Sequence, residues 1–208
     1  MSALAPEDRC HLNGLAMVAG RPKYVTALGC TDRAGGWRAT KASGGVLLDV
    51  DTGAIRLQGL CMPHSPPWYQ GHLWCLESGQ GTLARADLAQ GTWQTVAQLP
   101  GFTRGLGFWG PFAFLGLSQV RESAVFSGIP LVERCPERTC GVWVVHLASG
   151  QTVGFLRFED GVQEIFAVQV LPGMRFPDIL EWGDERLAHS YVLPEAALAE
   201  VAWPPAAA

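Results

Sequence analysis

The chain has 208 residues, 48% of them apolar and 16% charged, with a net charge of −4. So large an apolar share excludes a disordered chain, and the absence of a basic footprint excludes nucleic acid and anionic membrane as partners. With 25 Gly, 14 Pro and 8 Trp, turns come often and large rings are spread among them, which suits many short strands rather than long helices.

Residues 1–10 read as a patternless leader without the apolar core of a signal peptide. No run of about 18 apolar residues follows, so the expected compartment is cytoplasmic. From His11 a four-strand pattern begins: HLNGLAMV up to Ala19-Gly20, RPKYVTALG, GGVLLDV up to Gly53, then AIRLQGL. A second copy runs as HSPPWY up to Gly71, HLWCLES, TLARADL up to Gly91, and TWQTVAQL. The third is TRGLGFW up to Gly110, PFAFLGLS, CGVWVVHL up to Gly150, and QTVGFLRF. A fourth starts with VQEIFAVQVL before Pro172-Gly173 and then loses the pattern.

Four antiparallel strands in about 40 residues is the size of one propeller blade. The predicted fold is therefore all-β and β-propeller-like, with about three and a half four-stranded antiparallel blades, a partial propeller. Its domain spans 11–180, and a tail over 181–208 carries a candidate short helix from Pro194.

The copies differ in length at one place, between their second and third strands. The first carries CTDRAGGWRATKAS there and the third QVRESAVFSGIPLVERCPERT, while the second carries almost nothing. In a blade, that loop and the entry to the first strand open on the same face. Counting back seven residues from the turn glycines places Asn13, His64 and Thr103 at this channel mouth, beside His11, Ser65 and Arg104. The fourth copy adds Gln163 and Glu164. Convergent polar groups on an apolar scaffold suit a binding site. For each the alternative is structural: His64 as a hydrogen bond to a neighbouring blade, Asn13 as a turn residue, Arg104 as an ion pair with Glu164 rather than an anion clamp.

His11, His64 and Glu164 are weak candidates to ligate a divalent metal, since imidazole and carboxylate suit one, but their spacing carries no ligand signature. Cys61 and Cys75 lie in apolar strands and read as core. Cys135 and Cys140 bracket PERT without enough further ligands for zinc. The apolar stretch AVFSGIPLV within the third copy's insertion is predicted to fold back as a lid, with Phe126 and Ile129 inward and Arg121 or Glu122 near Arg104 and Glu164.

Taken together, HLNGLAMV, YVTALG, GGVLLDV, MPHSPPW, LWCLESGQG, LPGFTRGLGF, GLSQVRES, FSGIPL, CGVWVV and QEIFAVQVLPG resemble one bacterial conserved hypothetical family that carries a propeller-like domain of unknown function. The resemblance covers residues 9–180 and implies no assigned activity. It also implies that the chain corresponds to the carboxy-terminal part of longer members with further blades upstream.

Two functions compete. One is a binding module for a small-molecule or protein ligand at the channel-mouth face, with self-association to complete the ring. The other is a metal-assisted hydrolase or lyase, with Arg104 clamping an anion, Glu164 as acid or base and the histidines holding metal. No G-x-S-x-G, H-E-x-x-H, P-loop or dinucleotide motif favours the second.

Overall fold

Apolar–polar alternation between glycine-bearing turns folds the chain into three consecutive antiparallel sheets. A computed structural model describes residues 2–3, 5–120, 127–189, 194, 196 and 199. The first sheet is β1 (Leu12–Val18), β2 (Arg21–Ala27), β3 (Gly45–Asp49) and β4 (Ile55–Leu60), hydrogen-bonded in that order. The third sheet repeats the order with β10 (Phe102–Trp109), β11 (Phe112–Ser118), β12 (Cys140–His146) and β13 (Thr152–Phe158).

In the second sheet the first strand is split into β5 (Pro63–His64) and β6 (Trp68–Tyr69), both paired with β7 (His72–Glu77); β8 (Thr82–Asp87) and β9 (Thr92–Gln98) follow. The split has a local cause. Ser65 takes positive φ (48°), and Pro66 and Pro67 have no N–H to give a ladder. The arrangement is all-β and propeller-like, and helix among the described residues is short: a 3-10 turn at Gly36–Thr40, α1 (Pro130–Arg134) and α2 (Glu185–Ala188).

Two of the three hairpins between first and second strands share one turn type. Ala19 and Gly20 both take positive φ (50° and 76°), as do Gln70 and Gly71 (49° and 77°). This is the mirror-image turn whose twist matches that of its strands. Pro172 cannot reach positive φ, so the turn before Gly173 cannot be of this kind. The fourth copy's first segment, 163–170, has no strand partner among the described residues.

Sheets pack face to face. Ala16, Leu47 and Leu57 of the first meet Leu73 of the second. Trp74, Leu76 and Leu83 of the second meet Leu115, Leu117 and Val145 of the third. Cys61 and Cys75 are buried free thiols, and burial pushes the Cys61 thiol up to about 12. Cys135 and Cys140 are free thiols as well.

The sheets and residues up to Val170 form one compact unit and Leu171–Ala208 a second. The second unit begins with the Pro172–Gly173 turn, closed by Met174 N donating to Leu171 O (3.3 Å), and holds α2, whose first turn is capped by the Asp184 carboxylate. The predicted helix from Pro194 falls almost entirely on residues outside the described set.

Candidate functional site

At the channel mouth the polar side chains work as fasteners between sheets. Asn13 Nδ2 donates to Pro63 O of the second sheet (2.9 Å), and its Oδ1 accepts from Thr26 Oγ1 (2.8 Å). Ser78 Oγ donates to Thr103 O of the third sheet (2.5 Å). Ser118 Oγ donates to Ile165 O (3.2 Å) and accepts from Ile165 N (2.9 Å). In each case a hydroxyl or amide from one first or second strand secures the start of the next first strand. Ser65 Oγ likewise accepts from Gly105 N (3.2 Å), and Thr103, fully buried, reaches back to Thr82 O (3.5 Å).

His64 sits inside this fastening, 6% exposed, with its ring edge-on to Phe102 at 5.8 Å. Its Nδ1 lies 3.0 Å from Met62 O and 2.8 Å from Ser78 Oγ. A carbonyl only accepts, so Nδ1 carries the proton. The Ser78 proton goes to Thr103 O, so the serine accepts from the histidine. This is the reverse of a nucleophile–base pair: the ring orients the hydroxyl and cannot take its proton. Burial chiefly, with the nearby Arg104 charge and against the Met62 hydrogen bond, lowers the His64 pKa to about 4.

His11 stands apart at the rim. Its Nδ1 pairs with Asp8 (3.1 Å) and its ring packs on Trp37 at 4.8 Å. The Arg104 guanidinium lies over the Phe166 ring at 4.3 Å, and burial lowers its pKa while the Glu164 charge opposes that shift. Gln163 is held through its carbonyl, which accepts from Gln119 N (2.8 Å). The structure thus brings His64, Thr103 and Arg104 near one another, with Glu164 within reach of Arg104's field. Among the described residues no group of three or more His, Cys, Asp or Glu side chains is placed to hold a metal ion.

The two insertions meet over the short turn of the second sheet. Trp37 from the first, and Ile129 and Leu131 from the third, bury together with Leu28, Cys61, Met62 and Phe102. Ile129 and Leu131 are both 0% exposed, and each such burial contributes about 1.5–3 kcal/mol. Leu131 N donates to Gly79 O (2.9 Å) and Arg134 Nη2 to Gln80 O (2.8 Å), fixing α1 on that turn. The lid residues Arg121, Glu122 and Phe126 lie outside the described residues.

Below the mouth, the first strands enclose a cleft of about 240 Å³ lined by Leu15, Ser65, Pro66, Leu106, Phe166 and Val168 among others. Leu15 is 51% exposed and Phe166 60%. Of the polar candidates only Ser65 lines it. Two other clefts, of about 410 Å³ beside Trp68, His72 and Arg85 and about 500 Å³ beside Thr31, Val46 and Gln58, include none of them.

Reading by residue type missed the cleft wall, because aliphatic residues in a strand look like core. It also missed Ser78 and Ser118. Their signal was present: a serine closes the second strand in both HLWCLES and PFAFLGLS.

A family model described as a domain of unknown function (DUF4915) matches residues 1–180. Among curated proteins none matches the chain. Among solved structures, the computationally designed Ika4 protein is 14% identical with a TM-score of 0.46, over 78% of this chain and 81% of that one. The computationally designed Ika8 protein is 15% identical with a TM-score of 0.43, over 77% of this chain and 40% of that one.

Proposed function

The chain belongs to the family of the domain of unknown function DUF4915, and from that premise we propose that it is a protein-interaction module that receives an apolar side chain of a protein partner in the cleft between its first strands. The cleft carries this reading. At about 240 Å³ it lies below the roughly 300–1,000 Å³ of small-molecule sites, and its wall is mostly aliphatic and proline. It fits one or two inserted side chains better than a cofactor. The polar mouth supports the same reading from the other side, because its hydroxyls and amides are occupied between sheets and are not directed at a ligand.

The test is a photoreactive benzoylphenylalanine placed at Leu15 and irradiated in cells. The expected result is one discrete protein adduct that disappears when Leu106 is also changed to Glu. The control position is Val153 on β13, which is equally exposed (56%) and does not line the cleft. No adduct from position 15, or the same adduct from position 153, would sink the proposal.

A further inference from the structure

The segment after the third sheet holds the place of a first strand and has no paired second strand among the described residues. Ser118 fastens Ile165 as Ser78 fastens Thr103 and Asn13 fastens Pro63. It also lies hard against the third sheet. A Cβ on Gly105 would come within 2.7 Å of the Ala167 backbone, and one on Gly116 within 2.6 Å of Ile165 Cγ2. In the three complete sheets the outer edge of the first strand is hydrogen-bonded to a second strand. Here the backbone N–H groups of residues 166–170 and the carbonyls of 166–169 have no hydrogen-bond partner among the described residues.

The sequence of that edge, IFAVQV from Ile165 to Val170, is uncharged and free of Gly and Pro. Phe166, Ala167 and Gln169 are exposed, and Ile165, Val168 and Val170 half-buried. An accessible, apolar, unpaired edge is a template for another strand. The ground that such a strand would cover is present too. Phe114, Val142 and Val144 are only partly buried on the face of the third sheet opposite its packed row, and Leu156 is 59% exposed.

We propose that the 165–170 edge is a strand-addition site that takes an extended polypeptide segment, antiparallel, with aliphatic residues at alternate positions. The occupant's chemistry is argued from the three internal precedents. β11, for example, pairs with β10 and turns Ala113, Leu115 and Leu117 onto the preceding sheet, where each is fully buried. Backbone hydrogen bonds would supply affinity and the alternate side chains specificity. The site shares Phe166, Ala167 and Val168 with the wall of the cleft, but it uses their backbone edge and not the side-chain pocket.

The probe is a fluorescent synthetic peptide with the sequence of residues 111–119, PFAFLGLSQ, added to the full chain and followed by fluorescence anisotropy. Saturable binding is expected, with no binding of a scrambled peptide. N-methylation of one alternate set of peptide amides should weaken binding about tenfold or more, and of the other set hardly at all. Val168→Pro, which removes a backbone N–H of the segment that has no partner among the described residues, should weaken it similarly. Peptide binding is read without the position-15 adduct, so failure here and failure of the cleft proposal remain distinguishable. A dimer of the chain that the peptide dissolves would show that a second copy can donate the strand, and would support the edge. Absence of saturable binding, or equal binding of both N-methylated sets, would overturn it without reliance on how well the proline variant folds.

Discussion

The channel mouth and the channel wall are built from neighbouring residues of the same strands and have opposite characters. At the mouth, Asn13, His64, Ser78 and Thr103 are polar, mostly buried and bonded across sheets. A few residues along, Leu15 and Phe166 are apolar and more than half exposed. Polar groups recurring at one position of a repeat therefore mark where repeats are fastened together. Apolar groups left in water mark where something else can bind. The usual expectation, polar for function and apolar for structure, is inverted here for a physical reason. A sheet junction must satisfy the carbonyls at the start of each first strand, and leaving one buried and unpaired costs about 1–3 kcal/mol.

The strongest way to break the comparison is to open the cluster where the two insertions meet. Ile129 is fully buried among Leu28, Met62 and Phe102, and Ile129→Ala should cost about 2–5 kcal/mol in urea unfolding. If the mouth were an open binding surface with a mobile cover, the loss would stay below about 1 kcal/mol.

Next in size is the pH response of the fastening. His64 is held neutral, its pKa lowered from 6.5 to about 4 chiefly by burial. As pH falls below 6.5 the unfolded chain takes up a proton that the folded chain refuses until about 4. Its contribution, about 3 kcal/mol, is therefore complete above pH 6.5 and is lost progressively as pH falls toward 4. Glu77, whose carboxyl burial pushes up, acts with the opposite sign. The His64 share is thus read as the difference between the chain and a His64→Asn variant across that range. A difference that stays flat with pH would mean that the ring is solvated and the fastening loose.

What the sequence disclosed divides along the same line. Turn glycines at 20, 71, 110 and 150 and the strand alternation between them were legible, because backbone φ and side-chain period are local properties. The placement of both insertions on one face followed from strand counting. The work of His64 was not legible, since its neighbours Met62 O and Ser78 become partners only once β5 and β7 pair. The break at Ser65–Pro67 could have been read from the two prolines, which cannot donate to a ladder. Exposure of Leu15 could not: in HLNGLAMV its row alternates as regularly as Ala16's buried row, and what separates them is that no sheet among the described residues covers that face.

The smallest expected effect sharpens the comparison most. Leu15→Ser removes an aliphatic side chain that the folded state already leaves about half in water, so little transfer free energy is lost. It lies across from Val25 in the ladder, and a serine there can be solvated without a buried orphan hydroxyl. The expected change in unfolding free energy is within about 0.5 kcal/mol. Leu115→Ser, one residue deep in the core between the second and third sheets, is the matched control, and there the cavity and the buried hydroxyl add. The pair of values separates two accounts of the wall. A loss above about 1 kcal/mol at Leu15 would show that its contacts hold the first sheet together, so that the cleft is part of the core. A neutral result at Leu15→Ser, joined to a discrete adduct from benzoylphenylalanine at that position, would show a side chain kept apolar in water by what it binds rather than by what it supports.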